Sequence, residues 1–208
     1  MNARARQSSL RLEVAREAAR LVAQSGRRDF HAAKHKAAAR LGVRGKGALP
    51  SNQEIQEALL EHQRLFHGQV HQDHIEEMLD HAQRAMILLE MFEPRLVGAL
   101  ANGSADENSP VTLHLFSDPP EAVPVHLREQ GIRFRSSERR VKYSELRHDR
   151  VPIYELLLSR LEIALWVFPQ DGLRQAPLDA VNGRPTRRLR TAKLEELRAH
   201  YRHASAPW

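Results

Sequence analysis

The hydrophobic pattern of the chain changes its period near residue 95, and this change limits the fold more than any other feature. Before it, apolar residues recur every three or four positions, which is typical of amphipathic helices. After it, Val111 to Phe116 alternates apolar and polar residues, as a half-buried strand does. The sequence therefore predicts an α+β protein, in which a helical region over residues 1–93 packs on a small mixed β-sheet. That sheet, over residues 94–208, is closed by a C-terminal helix.

Capping residues and helix breakers divide the first region into four predicted helices. The third begins at the capping-box pair Ser51 and Glu54, and Gly68 is expected to separate it from the fourth. His67, His71 and His74 would share a face if this helix were unbroken, a spacing that can bind zinc. Because the His-Glu-x-x-His pattern of zinc proteases is absent, we expect a solvated polar face instead.

The second region is predicted to begin with a strand over Leu96–Ala101 that ends in a turn at Gly103 and Ser104. A helix is expected to open at Pro119-Pro120-Glu121 and to reach Gln130, and another is expected from Thr191 to about His203. Further strands are predicted over Ile132–Phe134, Arg139–Tyr143, Val151–Leu157 and Leu161–Phe168, the last two joined as a hairpin across Ser159 and Arg160.

Composition restricts the environment of the protein. The chain has 208 residues and no cysteine, and none of its apolar runs approaches the roughly 20 residues that span a bilayer. We therefore expect a cytoplasmic protein without disulfides, a thiolate metal site or a membrane partner.

Charge is distributed unevenly along the chain. Residues 1–50 hold 12 Lys and Arg against 3 Asp and Glu, residues 51–109 hold 3 against 11, and residues 110–208 hold 17 against 12. The basic segments favour a nucleotide or RNA as partner. Residues 1–50 can equally lie against the acidic segment, residues 51–109, and neutralise part of its charge. Methionines at helical spacing leave two alternatives open: plain core packing, or a protein partner or homodimer through the helical region.

The segment around residue 103 resembles the nucleotidyltransferase superfamily, which is built on a polymerase-beta-like core. Gly103 and Ser104 match the Gly-Ser pair that family members carry after their first strand. Ser109 to Leu113 occupies the place of the family's two aspartates, which are separated by one residue, and Glu162 matches the third acid. The whole chain also resembles a group of proteobacterial proteins described only as nucleotidyltransferase-like.

This resemblance implies a nucleotide cradle with an incomplete set of acids. In the family, three carboxylates hold two magnesium ions that align a nucleoside triphosphate for transfer. Here Pro110 and Thr112 stand at the two aspartate positions. The resemblance therefore assigns a catalytic and metal-binding role to Glu162. Asp106 and Glu107 lie in the preceding loop and, on a different loop path, are the candidates to replace the missing acids, Asp106 as a catalytic and metal-binding residue and Glu107 as a catalytic one. The expected nucleotide-binding residues are Gly103, Ser104, Thr112 and His114.

These features predict a degenerate nucleotidyltransferase-like protein, which binds a nucleotide or RNA without efficient transfer. Mg²⁺ and a nucleoside triphosphate are the cofactors that the resemblance implies. Two other functions stay open: an active Mg²⁺-dependent nucleotidyltransferase with relocated ligands, and a basic nucleic-acid-binding module without a nucleotide pocket. For single residues there are plainer interpretations, since Gly103 can serve a tight loop and His114 can be a hydrogen-bonded core residue.

Overall fold

The computed structural model describes residues 3–25, 29–43, 48–66, 69–158 and 160–204, which form two compact units. The helices are α1 (Ala3–Ser25), α2 (Phe30–Arg40), α3 (Asn52–Phe66), α4 (Gln69–Leu88), α5 (Gly98–Asn102), α6 (Ala122–Glu129) and α7 (Leu194–Ala204). The strands are β1 (Arg95–Val97), β2 (Val111–Phe116), β3 (Arg135–Lys142), β4 (His148–Leu158) and β5 (Leu161–Phe168). The α+β class, with a mixed sheet and a C-terminal helix, is confirmed.

The first unit consists of α1 to α3 together with Asp106–Asn108 and Ala180–Asn182. Its core is rich in alanine: α2 buries Ala33, Ala37 and Ala38, in one cluster with apolar residues of α1 and α3. Small side chains of this kind let helices approach each other closely.

Polar contacts fix the ends and faces of these helices. The predicted capping box is confirmed, because Ser51 Oγ accepts the Glu54 N–H at 3.2 Å and Glu54 Oε2 accepts the Ser51 N–H at 2.7 Å. Glu17 of α1 binds Arg20 at 2.8 Å and Arg40 of α2 at 3.0 Å. The hydrogen bond from Arg20, assisted by Arg40, lowers the pKa of Glu17 to about 2.

The second unit contains the sheet, whose strand order is β1-β2-β5-β4-β3. Strands β2 and β5 run parallel, and every other neighbouring pair is antiparallel. One face of the sheet, which carries Leu113 and Leu165, is buried in one core with residues of α4, α5, α6 and α7. The predicted division at residue 93 assigns α4 to the helical region, whereas its buried residues, Met78 and Met86 among them, belong to the core of the sheet.

The other face of the sheet carries a smaller aromatic cluster. Phe116 of β2 and Phe168 of β5 are fully buried there, with Val141, Tyr143 and Val151 around them. A hairpin joins β4 to β5 as predicted, since Leu158 pairs with Leu161, although Ser159 lies outside the described residues.

Two predicted strands are wrong in their bounds. Residues 132–134 form no strand, and the edge strand β3 begins at Arg135. The expected strand over Leu96–Ala101 ends at Val97, because Gly98 takes a positive φ of 72° and the chain continues as the short helix α5. Among the described residues, no helix combines the length and apolar character that crossing a membrane requires.

Candidate functional site

Gly103 and Ser104 terminate a helix rather than a strand. Gly103 has φ 83° and closes the C-terminal end of α5, where its N–H donates to the Ala99 carbonyl. The Ser104 N–H donates to the same carbonyl at 3.0 Å, and Ser104 Oγ donates to Asn102 Oδ1 at 2.6 Å. This is the common left-handed glycine cap, so the local backbone accounts for the glycine.

The residue that directly follows the first strand is Gly98. Its φ of 72° lies in the left-handed region, and a Cβ built on it would lie 3.5 Å from both Cβ and Oγ1 of Thr112. Sequence reasoning missed Gly98 because it took the whole apolar run as a strand. The signal was present, since a glycine inside a short apolar run often marks a change of backbone direction.

One cross-strand row of the sheet combines Thr112, Ala164 and Glu155, which lie side by side on β2, β5 and β4. Side chains alternate along a strand, so Glu162 is on the same face as Ala164, two positions earlier. Glu162 is exposed and Glu155 is half-buried. The structure therefore brings Thr112 and Glu162 to one face, and adds Glu155, which the sequence analysis did not single out. Ile153 lies two positions before Glu155 on β4, so the alternation of side chains along this strand would have indicated that Glu155 lies on the same face.

Asp106 and Glu107 belong to the other compact unit, with α1 to α3. Asp106 is buried, and its Oδ1 accepts the backbone N–H of Asn108 at 3.1 Å. This bond is typical of an Asx turn. Asn108 in turn donates through Nδ2 to the Ala23 carbonyl at 3.0 Å. Glu107 is exposed.

These residues do not fit a two-magnesium site. Such a site needs several carboxylate oxygens converging on both ions, but Pro110 and Thr112 stand at the two positions that the resemblance gives to aspartates, and Thr112 is the residue that lies beside Gly98. Proline has no side-chain donor, and threonine offers a neutral hydroxyl. No group of three or more His, Asp or Glu residues able to hold a metal ion occurs in the described ranges.

His114 is buried beneath an arginine. Only 3% of it is exposed, and its ring lies 4.5 Å from that of Phe168. Its Nδ1 accepts a hydrogen bond from Nε of Arg188 at 3.1 Å. Burial, and to a lesser extent the charge of Arg188, lowers the pKa of His114 well below its ordinary value. His114 is therefore a neutral, bonded side chain of the aromatic cluster.

A basic cleft opens beside Gly103, within the second unit. It has a volume of about 610 Å³ and lies between the end of α5, the segment 187–193 and α7. Its lining residues are Ala101, Asn102, Gly103, Arg187, Arg188, Leu189, Arg190, Lys193, Glu196, Leu197 and His200. The lining residues thus include four of the Arg and Lys type and one carboxylate, Glu196, which pairs with Lys193 at 2.6 Å. The guanidinium of Arg188 lies against the ring of Phe116, 4.9 Å from its centre.

Backbone pairing holds the basic segment in place. Leu189 exchanges two hydrogen bonds with Leu96 of β1, at 2.8 and 2.9 Å, so residues around it extend the sheet at its edge. Nη1 of Arg187 donates to the Ala101 carbonyl at 3.2 Å. Sequence analysis registered this stretch only as part of a basic region, because charge counts do not reveal which residues line a common cavity.

The structure describes only some of the histidine side chains on α3 and α4. His67 lies outside the described residues, as do the side chains of His62 and His71. His81 Nδ1 lies 2.8 Å from the Glu77 carbonyl, and His74 Nδ1 lies 4.0 Å from the Glu77 carboxylate.

The chain was compared with models of known protein families and with curated proteins, and neither comparison produced a match.

Proposed function

We propose that this protein binds a nucleotide through its phosphate chain, in the basic cleft beside Gly103, without efficient phosphoryl transfer. In this proposal it is a degenerate nucleotidyltransferase-like protein. The observation that carries the proposal is the clustering of Arg187, Arg190 and Lys193 around one cavity at the end of α5. Arginine and lysine are the side chains that proteins use to hold phosphate groups.

The size of the cleft supports a small ligand. Its volume of about 610 Å³ falls within the range of roughly 300–1,000 Å³ that is typical of small-molecule sites. A single nucleotide fits such a space, with its charged end against the arginines.

Loss of transfer follows from the chemistry of Pro110 and Thr112. Phosphoryl transfer between a nucleotide and a hydroxyl depends on cations that neutralise the developing charge and align the attacking group. Arginine and lysine side chains of the cleft supply the neutralising charge for binding. They do not activate a hydroxyl as a metal held by paired carboxylates does. We therefore expect binding of ATP in the presence of EDTA.

Isothermal titration calorimetry with ATP in EDTA tests the proposal. The double variant Arg190→Gln/Lys193→Gln removes two exposed cations of the cleft, and we expect it to weaken binding about tenfold, or about 1.4 kcal/mol. Arg139→Gln/Arg140→Gln is the matched control, because it removes two exposed cations from the edge strand β3. An equal loss of ATP affinity in both variants would show that basic residues attract ATP non-specifically, and would contradict binding in the cleft.

A transfer assay tests the second half of the proposal. The protein is incubated with labelled nucleoside triphosphates, Mg²⁺ and total RNA, and we expect no incorporation of label above the blank. Incorporation that Glu155→Ala/Glu162→Ala abolishes would instead establish an active enzyme whose acids are relocated on the sheet face.

A second candidate function is RNA binding by strand β3. Its residues 135–140 are all exposed, and Arg140 lies directly opposite Arg150 of β4. Like charges placed opposite each other destabilise a sheet. Glu138 pairs with Arg150 at 3.7 Å, and a phosphate backbone would supply a further counter-charge for Arg140. Fluorescence anisotropy with a labelled oligonucleotide should then show affinity that falls steeply with salt and with Arg139→Gln/Arg140→Gln. Affinity that is unchanged in this variant excludes the β3 surface.

A further inference from the structure

Strand β3 forms an edge of the sheet that is largely open. It has eight residues, stands last in the strand order and pairs with β4 on one side. The opposite edge differs, because β1 has only three residues and Leu189 exchanges two hydrogen bonds with Leu96 at its centre. An open edge presents a row of backbone N–H and C=O groups that can pair with a further strand.

The end of β3 shows which of its backbone groups point away from β4. The Tyr143 N–H donates to the Arg147 carbonyl at 2.9 Å, across the hairpin that joins β3 to β4. The Lys142 carbonyl instead accepts the Leu178 N–H at 2.6 Å, on the outer side. The direction alternates from residue to residue in an antiparallel ladder, and the register with β4 is unbroken along β3. Three earlier residues therefore point both their N–H and their C=O groups outward: Ser136, Glu138 and Arg140.

This outward row is open to solvent. Within the described part of the chain, Leu178 bonds the outer edge at Lys142, and no hydrogen bond reaches the outward groups from Ser136 to Arg140. The strand also contains no proline and no bulge, which are two of the devices by which proteins block an exposed edge. The backbone of β3 is therefore able to accept a neighbouring strand.

The side chains make this edge basic on both faces. The first six residues of β3 are all exposed. By alternation, Arg135 and Arg139 lie on one face and Arg140 on the other. None of these arginines has an ion pair with another described residue. Glu138 is the one carboxylate of the six residues, and it pairs with Arg150 at 3.7 Å. Carboxylates on an added strand would supply the missing counter-charges.

The charge pattern disfavours a second copy of the chain as that strand. Two β3 strands that pair antiparallel about a two-fold axis place one residue opposite itself. An axis at Glu138 puts two carboxylates opposite each other, and an axis at Arg139 puts two arginines there. An axis at Ser137 puts Arg135 opposite Arg139. Like charges placed directly opposite destabilise a sheet, so the edge fits a strand of opposite charge better than its own copy.

We propose that the β3 edge binds an extended acidic segment of another protein, which adds a sixth strand to the sheet. Such strand addition takes its affinity from backbone hydrogen bonds and its specificity from side chains. RNA, the ligand of the second candidate function, fits the open backbone less well. Its phosphates accept hydrogen bonds but offer no donors to the outward carbonyls, whereas a peptide supplies both donors and acceptors.

Fluorescence anisotropy on the full chain tests the proposal with a labelled octapeptide of the repeat Glu-Glu-Val-Val, which carries carboxylates on both faces when extended. We expect saturable binding. The same peptide methylated on every backbone amide keeps its charges but loses its donors, so it should bind at least about tenfold more weakly. Equal affinity of the two peptides would show attraction by charge alone and overturn the inference.

Variants of β3 separate the backbone from the side chains. Glu138→Pro removes an outward N–H at the centre of the row, and proline is tolerated at such edge positions. We expect it to weaken peptide binding about tenfold relative to Glu138→Gln, the matched control, which removes the same charge but keeps the N–H. Arg139→Gln/Arg140→Gln should also weaken binding about tenfold, because the arginines select an acidic strand. Equal affinity of Glu138→Pro and Glu138→Gln contradicts backbone pairing.

Amide hydrogen exchange in the native protein, followed by NMR, covers the case in which Glu138→Pro does not fold. The outward N–H groups of Ser136, Glu138 and Arg140 should exchange at least about tenfold more slowly at saturating peptide. The N–H groups of Ser137 and Arg139 point towards β4 and should change little. Exchange of the outward groups that stays the same with and without peptide overturns the inference.

A labelled uridine octanucleotide distinguishes RNA from a peptide. If it binds more tightly than the peptide and loses affinity in Arg139→Gln/Arg140→Gln, RNA is the ligand of β3 and the inference fails. The inference also fails if the native protein does not bind the peptide. None of these results bears on the basic cleft, whose nucleotide binding is measured with ATP.

Discussion

At the scale of one residue, Gly98 joins strand β1 to helix α5 and lies beside the sheet face that carries Thr112. Its φ of 72° turns the chain from β1 into α5, directly beside Thr112. The nearest atoms to an added Cβ lie at 3.5 Å, which is ordinary contact distance, so the backbone conformation alone requires glycine.

We predict that Gly98→Ala lowers the free energy of unfolding by about 1–2 kcal/mol, because alanine rarely adopts this conformation. Urea denaturation followed by circular dichroism measures the change. The control is Gly172→Ala, which keeps an ordinary φ but would bring a Cβ to 3.1 Å from that of Phe168. A Gly98→Ala variant as stable as the native chain would show that the turn is not strained.

The residues of the site show what sequence patterns can and cannot predict. Alternation along β5 placed Glu162 on the same side as Trp166, and the register agrees, because their partners on β4, Leu157 and Ile153, are also an even number of positions apart. Gly103 was recognised as a position of special backbone, but its place at the end of α5 could not be read from the sequence. The short run Leu96–Ala101 is too brief for its period to distinguish a strand from a helix. Contacts between distant residues, such as Arg188 with His114, leave no local signal.

At the scale of elements, ion pairs hold α1 against its neighbours. Because the pKa of Glu17 lies at about 2 in the folded protein, below its ordinary value of 4.5, the carboxylate stabilises the fold above about pH 4.5. This contribution is lost as the pH falls towards 2.

We predict that Glu17→Gln lowers the free energy of unfolding by about 1 kcal/mol at pH 7, where solvent screening limits the effect. The difference from the native protein should shrink as the pH falls towards 2. Urea denaturation at several pH values measures it, with exposed Glu13→Gln of the same helix as control. A difference that stays constant down to pH 2 would contradict an ionic origin.

Helix α7 is fastened to α5 by a buried hydrogen bond. The Tyr201 hydroxyl donates to the Leu100 carbonyl at 2.9 Å. Both helices line the basic cleft, so this bond supports one of its walls.

Tyr201→Phe should therefore lower the free energy of unfolding by about 1 kcal/mol, because it leaves a buried carbonyl without its partner. Thermal and urea denaturation measure the loss. Tyr154→Phe should cost less, since the described residues provide no hydrogen bond to the Tyr154 hydroxyl. Equal losses in the two variants would contradict this account of α7.

At the scale of the whole molecule, the fold class was predictable and the site was not. The change of hydrophobic period near residue 95 indicated helices followed by a sheet, and the structure confirms it. The basic cleft depends on tertiary contacts between α5, residues 187–193 and α7, which no single pattern encodes. The net charge of +6 indicates attraction to anions but not its place.

The crystal structure of the protein with ATP, grown in EDTA, tests the central claim most directly. The account predicts the phosphate chain in the basic cleft beside Gly103, within hydrogen-bond distance of Arg190 or Lys193. ATP bound instead at Glu155 and Glu162 on the sheet face, or a cleft that stays empty at saturating ATP, would contradict it.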